Sequence, residues 1–84
     1  MTAPRILLYT KPGCHLCDDM RDQLDAALRG SDTPVHYVDI AGDLDVYMRY
    51  RHDIPVLIID GHEVARHRIT ETALLEALTA AGLR

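Results

Sequence analysis

The chain is predicted to be an α/β domain of order βαβ, α, ββα, with one four-stranded mixed sheet covered by three helices. Three observations predict it. A continuous apolar run, Ile6-Leu7-Leu8-Tyr9, leads through a helical pattern to a second strand-like run, Val35-His36-Tyr37-Val38-Asp39-Ile40. A helical crossover of that kind sets the two strands parallel, with right-handed connection. Two further runs, Val56-Leu57-Ile58-Ile59 and Glu63-Val64-Ala65-Arg66-His67, are joined by Asp60-Gly61, which marks a tight hairpin. Finally, 84 residues without repeat, linker or low-complexity stretch suit one core, so a single domain over 1–84 is expected.

Each element has local justification. Pro4 and Pro12-Gly13 bound the first strand. From His15 to Arg29 the residues Cys17, Met20, Leu24, Ala27 and Leu28 recur at helical spacing, with Asp18 and Asp19 in the first turn, Arg29 in the last and Gly30 beyond. Ser31-Asp32-Thr33-Pro34 is a turn, and β-branched and aromatic residues mark the second strand. Ala41-Gly42-Asp43 starts a short second helix whose stripe is Leu44, Tyr47 and Met48, with Tyr50 at its rim, ending near Arg51-His52-Asp53. Ile54-Pro55 opens the third strand, where proline is tolerated because the first position need not donate to the ladder. Thr70 caps a last helix over 71–81, with Ala73, Leu74, Ala77, Leu78 and Ala81 as its apolar face and Gly82 as its stop.

The net charge is −4, the basic residues are scattered along the chain, and Phe and Trp are absent. Neither an electrostatic footprint nor a stacking platform for nucleic acid is predicted. Met1-Thr2-Ala3-Pro4-Arg5 leads into four strongly apolar residues, too few for a signal-peptide core or a membrane span. A cytoplasmic monomer without membrane association is expected.

The chain has two cysteines, both in Cys14-His15-Leu16-Cys17 at the strand-to-helix turn. A loop that short staples nothing, so the thiols are read as reactive groups. Cys14, at the helix N-terminus, meets unpaired N–H groups that favour the thiolate and is the nucleophile; Cys17, nearly one turn further, is the resolving thiol. Lys11, the sole lysine, stands three residues before Cys14 and reads as a thiolate-stabilising cation or as an ordinary loop cation. His15 reads as a second such cation, opposed by Asp18 and Asp19, or as a solvated histidine. No metal site is expected: His36, His52, His62 and His67 form no helical pair, and His62 and His67 flank a hairpin strand and face solvent. Arg66 and Arg68 alternate onto one side of the last strand and read as a solvated face rather than as a carboxylate-binding pair.

Lys11-Pro12-Gly13-Cys14-His15-Leu16-Cys17 together with Ile54-Pro55, in this order of elements, resembles the thioredoxin superfamily. The length and the hairpin make it most similar to short bacterial glutaredoxin-like proteins. That resemblance implies a thioredoxin-like, glutaredoxin-type fold and a cytosolic thiol-disulfide oxidoreductase acting on protein disulfides or mixed disulfides, without a tightly bound cofactor. It further implies that Pro55 is cis and packs against the cysteine pair, and that Ile54 offers its N–H and C=O to the substrate backbone. Glutathione is the reductant the resemblance suggests, and Lys11 matches the basic residue of its site. Two departures matter: Leu16 replaces the aromatic of the dipeptide, and Ala65-Arg66-His67-Arg68 stands where a Gly-Gly-x-Asp stretch is expected. A flavoprotein of the thioredoxin reductase kind is therefore the rival electron donor. The alternative from another class is a partner-binding or metal-cluster-carrying module with little reductase activity.

Overall fold

A computed structural model describes residues 4–84; residues 1–3, part of the N-terminal segment read above, lie outside the described residues. The elements are β1 (Ile6–Thr10), α1 (His15–Ala27), β2 (Val35–Asp39), a 3-10 turn (Ile40–Gly42), α2 (Leu44–Tyr50), β3 (Val56–Ile59), β4 (His62–Arg66) and α3 (Glu71–Ala80). The sheet order is β2-β1-β3-β4. β1 pairs parallel with β2 and antiparallel with β3, and β3 pairs antiparallel with β4 across a bulge at Leu57/Ile58. The sheet is therefore mixed, as expected.

Registers Ile6↔Ile59 and Leu8↔Leu57 put four apolar side chains on one face. Met20, Leu24 and Leu28 from the first helical segment and Leu74 and Leu78 of α3 close over them to form the core. On the other face Tyr9 stacks on Tyr50 of α2 with ring centroids 4.5 Å apart. Asp60 and Gly61 both have positive φ, the geometry of a tight hairpin turn. The Arg5 guanidinium binds both Asp60 carboxylate oxygens and the Ala81 carbonyl, each at 2.8 Å, joining this turn to the end of α3.

Several local expectations shift. α1 stops at Ala27 with Leu28 as its C-cap, because the Arg29 N–H turns to the Ala26 carbonyl, three residues back; Arg29 thus lies beyond the last turn. Ile40 leaves the second strand: the Asp39 carboxylate accepts from the Ala41 N–H and starts the 3-10 turn, burying Ile40. α2 begins at Leu44, where the Asp43 carboxylate accepts from the Asp45 and Val46 N–H groups. The stripe of Leu44, Tyr47 and Met48 is not its inward face, since Leu44 is 74% and Met48 58% exposed. Val46, Tyr47 and Tyr50 turn inward instead, because the stacking of Tyr50 on Tyr9 sets the rotation of so short a helix. β4 ends at Arg66: His67 takes φ +63°, so Arg68 no longer alternates with Arg66. Ala73 of α3 is exposed, while Gly82, at φ +71°, lets the Leu83 N–H reach the Leu78 carbonyl and buries Leu83. Among the described residues no helix is long and apolar enough to cross a membrane.

Candidate functional site

The β1–α1 turn builds the cysteine site. Gly13 takes φ +79°, which glycine adopts without steric cost, and the Cys14 N–H closes onto the Lys11 carbonyl at 3.2 Å. Cys14 then occupies the N-cap of α1 in extended backbone, and its Sγ accepts the Cys17 N–H at 3.2 Å. Sulfur here fills the place that a serine or aspartate oxygen usually takes at a helix start. The two Cα atoms are 5.2 Å apart and the Sγ atoms lie within disulfide-bonding distance. Exposure separates the pair: Cys14 is half-buried and Cys17 only 3% exposed.

The supporting residues fall as follows. His15 is the first residue of α1 and is exposed. The Lys11 ammonium lies 5.7 Å from the Tyr47 ring centroid, over α2. The Ile54-Pro55 bond is cis and Pro55 is buried. The Ile54 N–H already donates to the Tyr50 carbonyl at 3.2 Å. Of the two Ile54 groups expected to face a substrate backbone, the carbonyl is the one that accepts no hydrogen bond from the described residues.

The loop that carries Pro55 is pinned by residues with no assigned part in the sequence reading. The His67 N–H donates to the Pro55 carbonyl at 2.9 Å, and His67 Nε2 donates to the His52 carbonyl at 2.7 Å. His67 is exposed, as expected, yet its ring is engaged. Beside it, Arg66 pairs with Asp53 at 3.0 Å and grips Glu63 through Nε and Nη2 at 2.6 and 3.0 Å. The hydrogen bond from Arg66 holds the Glu63 carboxyl below its ordinary range. No sequence signal short of the β4 register would have paired residues 66 and 67 with 52–55.

Two hollows flank the motif. Between α1 and β2 a cleft of about 220 Å³ is bounded by Lys11, Cys17, Asp18, Arg21, Tyr37 and Asp39. Arg21 stacks on the Tyr37 ring at 5.0 Å, and burial followed by the nearby Asp25 charge pushes the Tyr37 hydroxyl above its ordinary value. On the other side a groove of about 390 Å³ is lined by Leu16, Asp19, Gln23, His67, Arg68 and Ile69, with Gln23 Nε2 donating to the Ile69 carbonyl at 2.8 Å. Among the described residues no group of three or more His, Cys, Asp or Glu side chains is placed to hold a metal ion.

The pattern of the glutaredoxin-like domain family (DUF836) matches residues 5–79, which includes the motif and the cis-proline. The chain belongs to this family. Its structure is similar to that of a Xanthomonas protein, the structural-genomics target XcR50 from X. campestris, at 29% identity and a TM-score of 0.75, covering 89% of this chain and 96% of that one. It is likewise similar to protein Ne2328 from Nitrosomonas europaea, at 22% identity and a TM-score of 0.71, covering 100% and 96% of the two chains. A wheat glutaredoxin shares the fold at 16% identity and a TM-score of 0.59, over 95% of this chain and 79% of that one. No significant match is found among curated proteins. The family membership and these neighbours establish the thioredoxin-like, glutaredoxin-type fold.

Proposed function

We propose that this protein is a cytoplasmic thiol-disulfide oxidoreductase that reduces protein disulfides or mixed disulfides through Cys14, with Cys17 as the resolving thiol. The observation that carries this reading is the unequal exposure of two sulfurs at one helix start. The half-buried Cys14 sits at the N-cap of α1 with an N–H directed at its sulfur, while Cys17 is buried one turn further in. The cap and the helix dipole stabilise a Cys14 thiolate, the attacking form.

The chemistry balances in two exchanges. The Cys14 thiolate attacks one sulfur of the substrate disulfide, forming a mixed disulfide and releasing the other sulfur as a thiolate. Cys17 then attacks the Cys14 sulfur; its proton passes to the departing substrate thiolate, leaving a Cys14–Cys17 disulfide and a fully reduced substrate. The oxidised pair needs two electrons from a thiol donor, either two molecules of glutathione or the dithiol of a flavoprotein reductase. No resident cofactor takes part, and the open Ile54 carbonyl gives the substrate backbone one acceptor beside Pro55.

Replacement separates the two roles. Cys14→Ser should abolish disulfide reduction, whereas Cys17→Ser should accumulate a mixed disulfide of substrate-plus-protein mass in non-reducing mass spectrometry. Turnover by Cys14→Ser would refute the assignment. Supplying the oxidised protein with glutathione and its reductase, or with a thioredoxin reductase, and counting recovered thiols identifies the donor.

A further inference from the structure

In the sequence the basic residues are scattered, but the fold gathers five of them on one side of the motif. Arg51 and His52, just beyond α2, meet Arg66, His67 and Arg68, at the end of β4 and just beyond; Arg49, inside α2, lies one turn after Asp45 and against the Tyr50 ring. The meeting is direct: His67 Nε2 bonds the His52 carbonyl, and Arg66 pairs with Asp53. The two carboxylates of this rim, Asp53 and Glu63, are both held by Arg66. Among the described residues Arg51 and Arg68 form no ion pair. Arg51, Arg66 and Arg68 against Asp53 and Glu63 leave an excess of one positive charge, on a chain whose net charge is −4.

The opposite border has the opposite sign. α1 exposes Asp18, Asp19, Asp22 and Asp25 against Arg21 alone. The groove beside Leu16 spans the boundary, with Asp19 on its α1 wall and His67 and Arg68 on its other wall. The cysteine motif therefore lies where an acidic and a basic surface meet.

We infer that this rim selects disulfide-bearing polypeptides whose carboxylates lie on the Pro55 side of the reacting cysteine. The inference rests on the oxidoreductase reading and adds the class of substrate. Unpaired cations around a reaction site raise the encounter rate with an acidic partner and fix its orientation more than they raise affinity. A polypeptide suits both borders, because it can carry carboxylates towards the rim and neutral or basic residues towards α1. A continuous polyanion such as a nucleic acid would meet repulsion from the α1 aspartates.

The test uses three disulfide-bearing peptides identical except for Asp, Asn or Lys at the positions flanking the cysteine, reduced by the pre-reduced protein. The readout is the ratio of initial rates within one preparation, which is independent of the folded fraction. At low ionic strength the Asp peptide should be reduced about tenfold faster than the Asn peptide and the Lys peptide slowest. The ratio should approach one near ~1 M salt, where the screening length is only ~3 Å. The double variant Arg51→Glu with Arg68→Glu should reverse the order. Equal rates at low salt, or an order unchanged by the double variant, would overturn the inference. If no peptide is reduced, the redox reading fails instead. The rim is then judged by binding of the same peptides with Ser in place of Cys: the Asp peptide must bind more tightly than the Asn peptide, and equal binding overturns the inference. An oligonucleotide that competes at lower concentration than a thiol-free Asp peptide of equal charge also overturns it.

Discussion

The two walls that enclose the cysteine motif are built by different physics. The α1 wall rests on apolar burial: Cys17, Met20 and Leu24 face the core at helical spacing, and Leu24 is fully buried. The Pro55 wall is held by directed polar contacts, from His67 to the Pro55 and His52 carbonyls and from Arg66 to Asp53 and Glu63. A side chain removed from the first wall leaves a cavity, whereas one removed from the second leaves groups that water can satisfy. The first wall should therefore control global stability, and the second should control the local order of the loop that carries Pro55.

Leu24→Ala tests the first wall most severely. It should cost about 3 kcal/mol, read from the denaturant midpoint; a loss under ~1 kcal/mol would show that α1 is not anchored as described. His67→Ala should cost only ~1 kcal/mol while speeding amide exchange at Asp53 and Ile54, whose N–H groups lie in the pinned loop. Unchanged exchange there would break the contrast between the walls.

Leu44→Gln, on the outward side of α2, should change stability by no more than ~0.5 kcal/mol, since Leu44 is 74% exposed. A larger loss would mean that the predicted stripe does pack. The smallest effect concerns acid. Hydrogen bonds from Arg66 and Arg5 hold Glu63 and Asp60 below their ordinary ranges. A carboxyl lowered in the folded state contributes stability above its unfolded value, which is lost as pH falls through the lowered one. Unfolding temperatures should therefore drop slightly below about pH 4. Arg66→Gln should reduce that dependence, and an unchanged acid profile would show that the exposed pair contributes nothing.

The legible parts of this molecule are those whose causes lie within a few residues. The helical spacing of Cys17, Met20 and Leu24, the Thr70 cap, whose hydroxyl accepts the Ala73 N–H, and the Asp60-Gly61 turn all appear where local patterning placed them. Cys14 at the N-cap belongs here too, because its position follows from the turn residues before it. The face of α2 is not legible, because seven residues carry too few apolar positions to decide their own rotation. The Tyr9–Tyr50 stack decides it, between residues 41 apart in the chain.

Local patterning thus accounts for the order of elements, the helix and turn boundaries to within a few residues, and the presentation of a dithiol at a helix start. Tertiary contacts settled the rest: the Lys11 ammonium over Tyr47 and the convergence of residues 51–52 with 66–68. Spacing and capping act between near neighbours and leave a mark in any short window of sequence. Charge gathered from two segments about 15 residues apart leaves none, because it exists only once the sheet has brought those segments together.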